Sequence, residues 1–367
     1  RERSAMVPLL MMRGREYSLD RRVGGVRHDA SRCACSHGHR LHAGEERQAA
    51  FGGGRRRRRQ QQYQQQQRCL RVAAASSDQA SGGDSVSSVP TALEADLVLS
   101  SGFLAFGNHS GFLSAVEEQQ VLVKGVMGTS AGALTGSMYC AGYSPSDILK
   151  ETCRDPPWKL LRPSWKFWEG LFSLEAVVER LRELLPPTFE DLNKDFAVAV
   201  LDKSGRYTLV DSGPLPEAVA ASAAIPFLFA PVQIPGMEAS GPFADGGARE
   251  RIGLGPWRDR VRSMRSKGNE EEKKKKNQKE LDRDPTTFAL VHLIQRSFGP
   301  LSGNDSTASI EETNFDIVTS PKSGVTLLSL GDYHMQFRGA FERTQRRIET
   351  LKQERYSRSI QRKKRKV

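Results

Sequence analysis

Val121-Leu122-Val123-Lys124-Gly125-Val126-Met127-Gly128-Thr129-Ser130-Ala131-Gly132-Ala133-Leu134-Thr135-Gly136-Ser137-Met138-Tyr139-Cys140-Ala141-Gly142 decides how this chain folds. The apolar run before Gly128 reads as a buried strand, and the small residues after Gly132 read as a helix. Between them stands Gly128-Thr129-Ser130-Ala131-Gly132, a G-x-S-x-G in strand–turn–helix context, the form of a nucleophile elbow. So sharp a turn brings the strand and helix backbones close, and only neighbours with almost no side chain fit there. The helix that follows aims its first amides at the serine, where developing negative charge is stabilised. The plain alternative is a tight turn carrying an ordinary serine.

Composition places the core in the middle of the chain. Only 38% of the 367 residues are apolar, and much of the deficit lies at the two ends. The net charge of +12 gathers in an N-terminal arm and a C-terminal tail. It reads as a property of the tails, so no nucleic-acid partner is expected. No run reaches the roughly 18 apolar residues of a membrane span. Five cysteines do not suggest a disulfide framework. Cys33, Cys35, His37 and His39 alternate too tightly for a tetrahedral zinc site, and no metal is expected.

Residues 1–75 are rich in Arg, Gln, Ser and Ala and poor in acids, with Arg55 to Arg59 followed by a glutamine tract. Disorder is expected there. The composition suits an organelle transit peptide; a nucleic-acid-binding arm is the rival. Residues 76–91 read as a linker. The folded domain is expected over 92–335, with a charged insertion at 263–285 and a basic tail over 336–367.

Ala95 to Ser100 reads as a first buried strand, followed by a turn, Ser101 to Gly107, and a helix from about Asn108 to Glu118. A short helix is expected over Ser146–Cys153. Arg154 to Trp168 carries Trp158, Trp165 and Trp168 among basic residues. Two readings stand: a flap at a lipid interface, where tryptophan concentrates, or a loop packed on the core. Ser173 is expected to cap a helix over Leu174–Leu185. Phe196–Leu201 reads as a strand with a hairpin partner at Arg206–Val210, and Leu215–Ala224 as a helix. Phe288–Ile294 reads as a strand, Leu327–Leu330 as a weaker one, and Gln345 onward as a solvated, fraying helix. Strands interleaved with helices argue for an α/β fold: a three-layer sandwich with a mainly parallel central sheet.

Two further stretches join the elbow. One is Ala221-Ser222-Ala223-Ala224-Ile225-Pro226-Phe227-Leu228-Phe229-Ala230-Pro231; the other is Asp245-Gly246-Gly247. With Ser130 they follow the order A-S-x-A-I-P-x-x-F-x-P and D-G-G after G-x-S-x-G, and the sequence resembles the patatin-like phospholipases. The resemblance covers about residues 95–250 and extends weakly to about 335. It implies a Ser130–Asp245 dyad without histidine: Ser130 as nucleophile, Asp245 as general base and acid, and no cofactor or calcium. It implies an oxyanion hole from the amides of Gly102 and Phe103, helped by Ala131, with Gly128, Gly132, Gly246 and Gly247 supporting the turns. The family's G-G-G-x-[RK]-G is altered here. Ser101-Gly102-Phe103-Leu104-Ala105-Phe106 keeps one glycine of the triplet, and Ala105 replaces the basic residue. The lost cation bears on rate or substrate preference more than on reaction class.

The implied activity is hydrolysis of acyl esters of glycerolipids, phospholipid or galactolipid, with transient contact to a lipid surface. A Ser–His–Asp esterase would instead need a histidine after Ser130, His292 or His334. His292 within an apolar strand reads more naturally as a core residue. The altered oxyanion turn also leaves a lipid-binding scaffold without activity as a reading. The arm and the body together point to a plant plastid; mitochondrion, cytoplasm and nucleus are the alternatives. Oligomeric state is left open.

Overall fold

The computed structural model describes residues 93–268, 288–295, 314–329 and 331–364. The N-terminal arm, its Cys/His cluster and most of the charged insertion lie outside these residues.

A seven-stranded sheet organises the described chain. Its parallel centre is β1 (Glu94–Leu99), β2 (Leu122–Gly128), β5 (Asp195–Leu201), β9 (Ala289–Ile294) and β10 (Phe315–Ser320), in the order β10-β9-β1-β2-β5. The hairpin partner β6 (Tyr207–Val210) and the short β8 (Ala244–Asp245) pair antiparallel with β5. The remaining strands, β3 (Arg162–Pro163), β4 (Gly170–Ser173) and β7 (Phe227–Phe229), form a separate three-stranded sheet.

Alternation along the strands builds two cores. Leu97 and Leu99 of β1 and Phe196, Val198 and Val200 of β5 face one cluster. Val98, Ala197, Ala199 and Val291 face the other, closed by Leu254 and Trp257. Helices therefore cover both faces, and the fold is a three-layer α/β sandwich. The first face is covered by α1 (Phe106–Glu118), α2 (Ala131–Cys140) and α5 (Leu215–Ser222), among others, and the second by α6 (Leu254–Gly268). The remaining helices on the way are α3 (Pro145–Thr152) and α4 (Glu175–Leu184).

Local chemistry moves several expected boundaries. Ser144 caps α3 by accepting the Asp147 amide at 3.1 Å, with Pro145 at the first helical position. Ser173 is not the cap of α4: it ends β4, Leu174 takes the cap position, and the Ser173 hydroxyl accepts the Glu175 amide at 3.2 Å. Of the weak strand expected at Leu327–Leu330, Leu327 and Leu328 form a turn closed by a bridge from Thr326 to Ser329.

The largest difference is at the C-terminal end. Tyr333–Lys364 is one helix, α7, so the tail boundary expected at 335 falls inside its first turn. Ala340, Thr344, Ile348 and Leu351 are buried. The cause sits on α1, where Gly107 and Gly111 lie one turn apart. A side chain at either would strike the backbone carbonyls of Tyr333 or Phe337. Two glycines at this spacing let the helix backbones approach, and α7 becomes part of the domain rather than a solvated tail.

Candidate active site

Ser130 sits where β2 ends and α2 begins. Its backbone has φ 56 and ψ −119, a strained geometry for a residue with a side chain. The turn closes because nothing projects from its glycines. A Cβ on Gly128 would lie 2.5 Å from the Gly132 carbonyl oxygen, and one on Gly132 would strike the Leu99 carbonyl. The elbow is held from two sides. The Thr129 amide donates to the Leu99 carbonyl at 3.0 Å, and the Ser130 amide donates to Ser222 Oγ at 3.0 Å. The serine of the A-S-x-A-I-P stretch thus pins the turn that presents Ser130.

Asp245 reaches the same place from β8. Val200 of β5 pairs with it, and its amide donates to the Ala224 carbonyl at 2.9 Å. The Gly247 amide donates to Asp245 Oδ1 at 2.7 Å, fixing the carboxyl. Gly246 lies against Ala199 of β5. The Ser130 hydroxyl lies near enough to the Asp245 carboxyl to lower its pKa. Burial raises the Asp245 pKa from 3.8 to about 7, against the opposing pull of the Ser130 and Gly247 hydrogen bonds. A carboxylate that is weak as a base in water is thereby brought to neutral pH.

Ser130 opens on a cavity of about 180 Å³ lined mainly by apolar side chains. Phe103 and Ala131 line it beside the serine; Gly102 does not, and packs against Ile294. Among the described residues the amides of Gly102, Phe103 and Ala131 donate to no protein group. Phe103 is not in the left-handed region; in this turn Leu104 is, at φ 48.

Two residues that the sequence reading passed over hold this turn. Arg251 is buried, and its Nη2 donates to the Ser101 carbonyl at 2.9 Å and the Ile294 carbonyl at 2.6 Å. The Ser323 hydroxyl donates to the Phe103 carbonyl at 2.7 Å. In a trans peptide the C=O and N–H point opposite ways, so turning Ser101 O to Arg251 sends the Gly102 N–H away from it. A cation fixes the turn after all, from beyond Asp245 rather than from position 105.

Neither histidine that follows Ser130 in sequence lines the cavity. His292 is buried in β9, and both its ring nitrogens are engaged: Nδ1 with His109 Nδ1 at 2.9 Å and Nε2 with Ser320 Oγ at 2.9 Å. The partners dictate the tautomers. Arg343 donates to Ser320 Oγ at 3.1 Å, Ser320 donates to His292, His292 to His109, and His109 Nε2 to the Ser100 carbonyl at 3.1 Å. Both rings are neutral. Burial lowers the His109 pKa to about 3, and burial, His109 and Arg343 hold His292 well below 6.5. His334 is exposed in the first turn of α7.

The folded state therefore binds fewer protons than the unfolded chain between about pH 3 and 6.5. Stability is full above that window and is lost as pH falls through it, by up to about 1.4 kcal/mol per pH unit for each imidazole. A His109→Gln/His292→Gln chain should start less stable at pH 7.5 yet lose less between pH 7.5 and 5, by denaturant titration. Equal losses in the two proteins would contradict the neutral pair.

Among the described residues no group of three or more His, Cys, Asp or Glu is placed to hold a metal ion, and no helix is long and apolar enough to cross a membrane. Residues 97–256 match the family model described as patatin-like phospholipase. Uncharacterized NTE family proteins of Mycobacterium bovis and Mycobacterium tuberculosis are each 28% identical over 164 residues, 44% of this chain and 44% of the relative. The chain thus matches less than half the length of these curated relatives. Among solved structures, VipD from Legionella pneumophila is similar at 14% identity and a TM-score of 0.42, over 70% of this chain and 67% of that one. The type III effector protein ExoU is similar at 15% identity and a TM-score of 0.36, over 73% of this chain and 53% of that one.

Proposed function

We propose that the patatin-like domain carried by this chain is a lipid acyl hydrolase that cleaves acyl esters of glycerolipids through a Ser130–Asp245 dyad. The observation that carries the reading is Ser130, presented on a strained elbow over an apolar cavity, together with a buried Asp245 whose pKa it lowers. In the first half-reaction Ser130 Oγ attacks the ester carbonyl and Asp245 accepts the hydroxyl proton. The tetrahedral oxyanion is received by the unengaged amides of Phe103 and Ala131, with Gly102 completing the turn. Collapse expels the alcohol, which takes the proton from Asp245, and leaves an acyl group on Ser130. Water then attacks the acyl-enzyme, Asp245 takes its proton, and Ser130 leaves protonated with release of the fatty acid. His292 finds no support as the base, because both its nitrogens are committed to other partners.

The test is fatty-acid release by the full chain from phospholipid and galactolipid suspensions, with products separated by acyl position. Release should rise about tenfold per pH unit below pH 7 and level off above it, as Asp245 ionises. No release above a protein-free blank across pH 5–9 would overturn the reading.

Arg251 offers a second check. Arg251→Met strands the Ser101 and Ile294 carbonyls and loosens the oxyanion turn. We expect kcat on a soluble ester to fall about 10- to 100-fold with KM nearly unchanged, and partial recovery in Arg251→Lys. A change confined to KM would contradict a role in setting the turn.

A further inference from the structure

A run of exposed aromatic side chains lies on the segment that also walls the cavity. Trp158 lies in the 3-10 turn Pro157–Leu160, and Trp165, Phe167 and Trp168 lie in the loop joining β3 to β4. Leu171 on β4 and Phe227 on β7 continue it, since Gly170 and Phe227 are directly paired across the two strands. Trp165 is 97% exposed and Phe227 73%. Folded chains seldom leave so many large apolar groups together in water, and such a cluster marks a contact surface.

Phe227 adds an independent sign. It is held at φ 67, a region that bulky residues avoid, with its ring turned outward. Strain that places an aromatic ring in water gains nothing for the isolated fold.

The chemistry of the patch selects its occupant. Basic Arg154, Lys159, Arg162 and Lys166 are interspersed with the aromatics, each set against an acid of the same surface, Glu151, Asp155, Glu169 or Glu179. All four cations have acidic partners: Lys159 pairs with Asp155, Lys166 with Glu169, Arg154 with Asp155 and Glu151, and Arg162 with Glu179, but the pairs lie at the surface and are weak, open to exchange for lipid phosphates. Tryptophan with lysine and arginine at its margin is the composition of a water–hydrocarbon boundary. The same segment also forms the wall of the cavity: Pro157, Leu160 and Leu161 line it together with Ser130 and Phe229. A protein docked here would cover the opening, whereas a lipid surface would feed it.

We infer that the β3–β4 loop with Phe227 is an interfacial docking surface that seats the cavity mouth on a bilayer bearing anionic lipid. This deepens the acyl-hydrolase reading and rests on it for the supply of substrate.

The test compares the full chain with Trp165→Ser/Phe167→Ser/Trp168→Ser. Readouts are sedimentation with phosphatidylcholine vesicles, with and without one-third phosphatidylglycerol, and hydrolysis of a soluble short-chain ester. The parent should bind the anionic vesicles at least about tenfold more tightly than the variant, with binding weakened by salt. The soluble-ester rates should agree within twofold. Phe227→Gly should bind vesicles about threefold more weakly while melting at a higher temperature, because glycine accepts that backbone. Equal vesicle binding by parent and both variants would overturn the inference, and so would variants that change only self-association. A parent inactive on the soluble ester would sink the acyl-hydrolase reading alone, since vesicle binding is read separately.

Discussion

Ser130→Ala is expected to reduce kcat on a soluble ester by about 10⁴-fold or more while leaving the fold intact. The size follows from the role: without Oγ no acyl-enzyme forms, and only binding and oxyanion stabilisation remain. The fold should survive because the side chain removed holds nothing up. The Ser130 amide still donates to Ser222, and alanine meets the same strained φ that serine does. Initial rates with matched near-UV circular dichroism and melting curves check both halves. Residual activity above about 1% in a folded variant would move the nucleophile elsewhere.

Asp245→Asn is expected to act in two opposite directions. Activity should drop about 10³- to 10⁴-fold, since an amide cannot accept the Ser130 proton. Stability at pH 8 should rise. The folded Asp245 has its pKa raised to about 7, so it holds a proton that the unfolded chain gives up near pH 4. Its favourable contribution is full below the unfolded pKa and is lost as pH climbs to 7; above that a buried charge is carried at a cost of order 1–4 kcal/mol. Asparagine removes that charge, and its Oδ1 still accepts the Gly247 amide. Denaturant titrations at pH 5 and 8 should show a gain at pH 8 and little at pH 5. A loss of stability at pH 8 would mean that Asp245 is held by interactions stronger than its burial cost.

The elbow was legible because its causes are local. An apolar run, glycines around one serine and small residues after them fix strand, turn and helix within a residue or two of β2 and α2. The A-S-x-A-I-P and D-G-G stretches stood out only through the family resemblance, and the structure adds contacts for each: Ser222 holds the elbow and Gly247 orients Asp245. The rest depends on contacts between distant segments. Arg251 reads in sequence as one more surface cation, and only the meeting of Ser101 and Ile294 makes it a buried clamp. In sequence His292 reads as a core residue, but its partner His109 stands 183 positions away. α7 carries too many charges for its buried stripe to stand out, and the signal for its docking lies in Gly107 and Gly111 of α1. The three-stranded sheet escaped notice because its strands are short and β7 comes far after β4.

The most direct measurement is the mass of the trapped acyl-enzyme. The full chain would be mixed with a chromogenic ester, quenched in acid, digested and mapped. The account predicts one acyl group, on the peptide holding Ser130, absent in Ser130→Ala, strongly slowed in Asp245→Asn and unaffected in His292→Gln and His334→Ala. An acyl group on any other residue, or its loss in a folded histidine variant, would contradict the dyad.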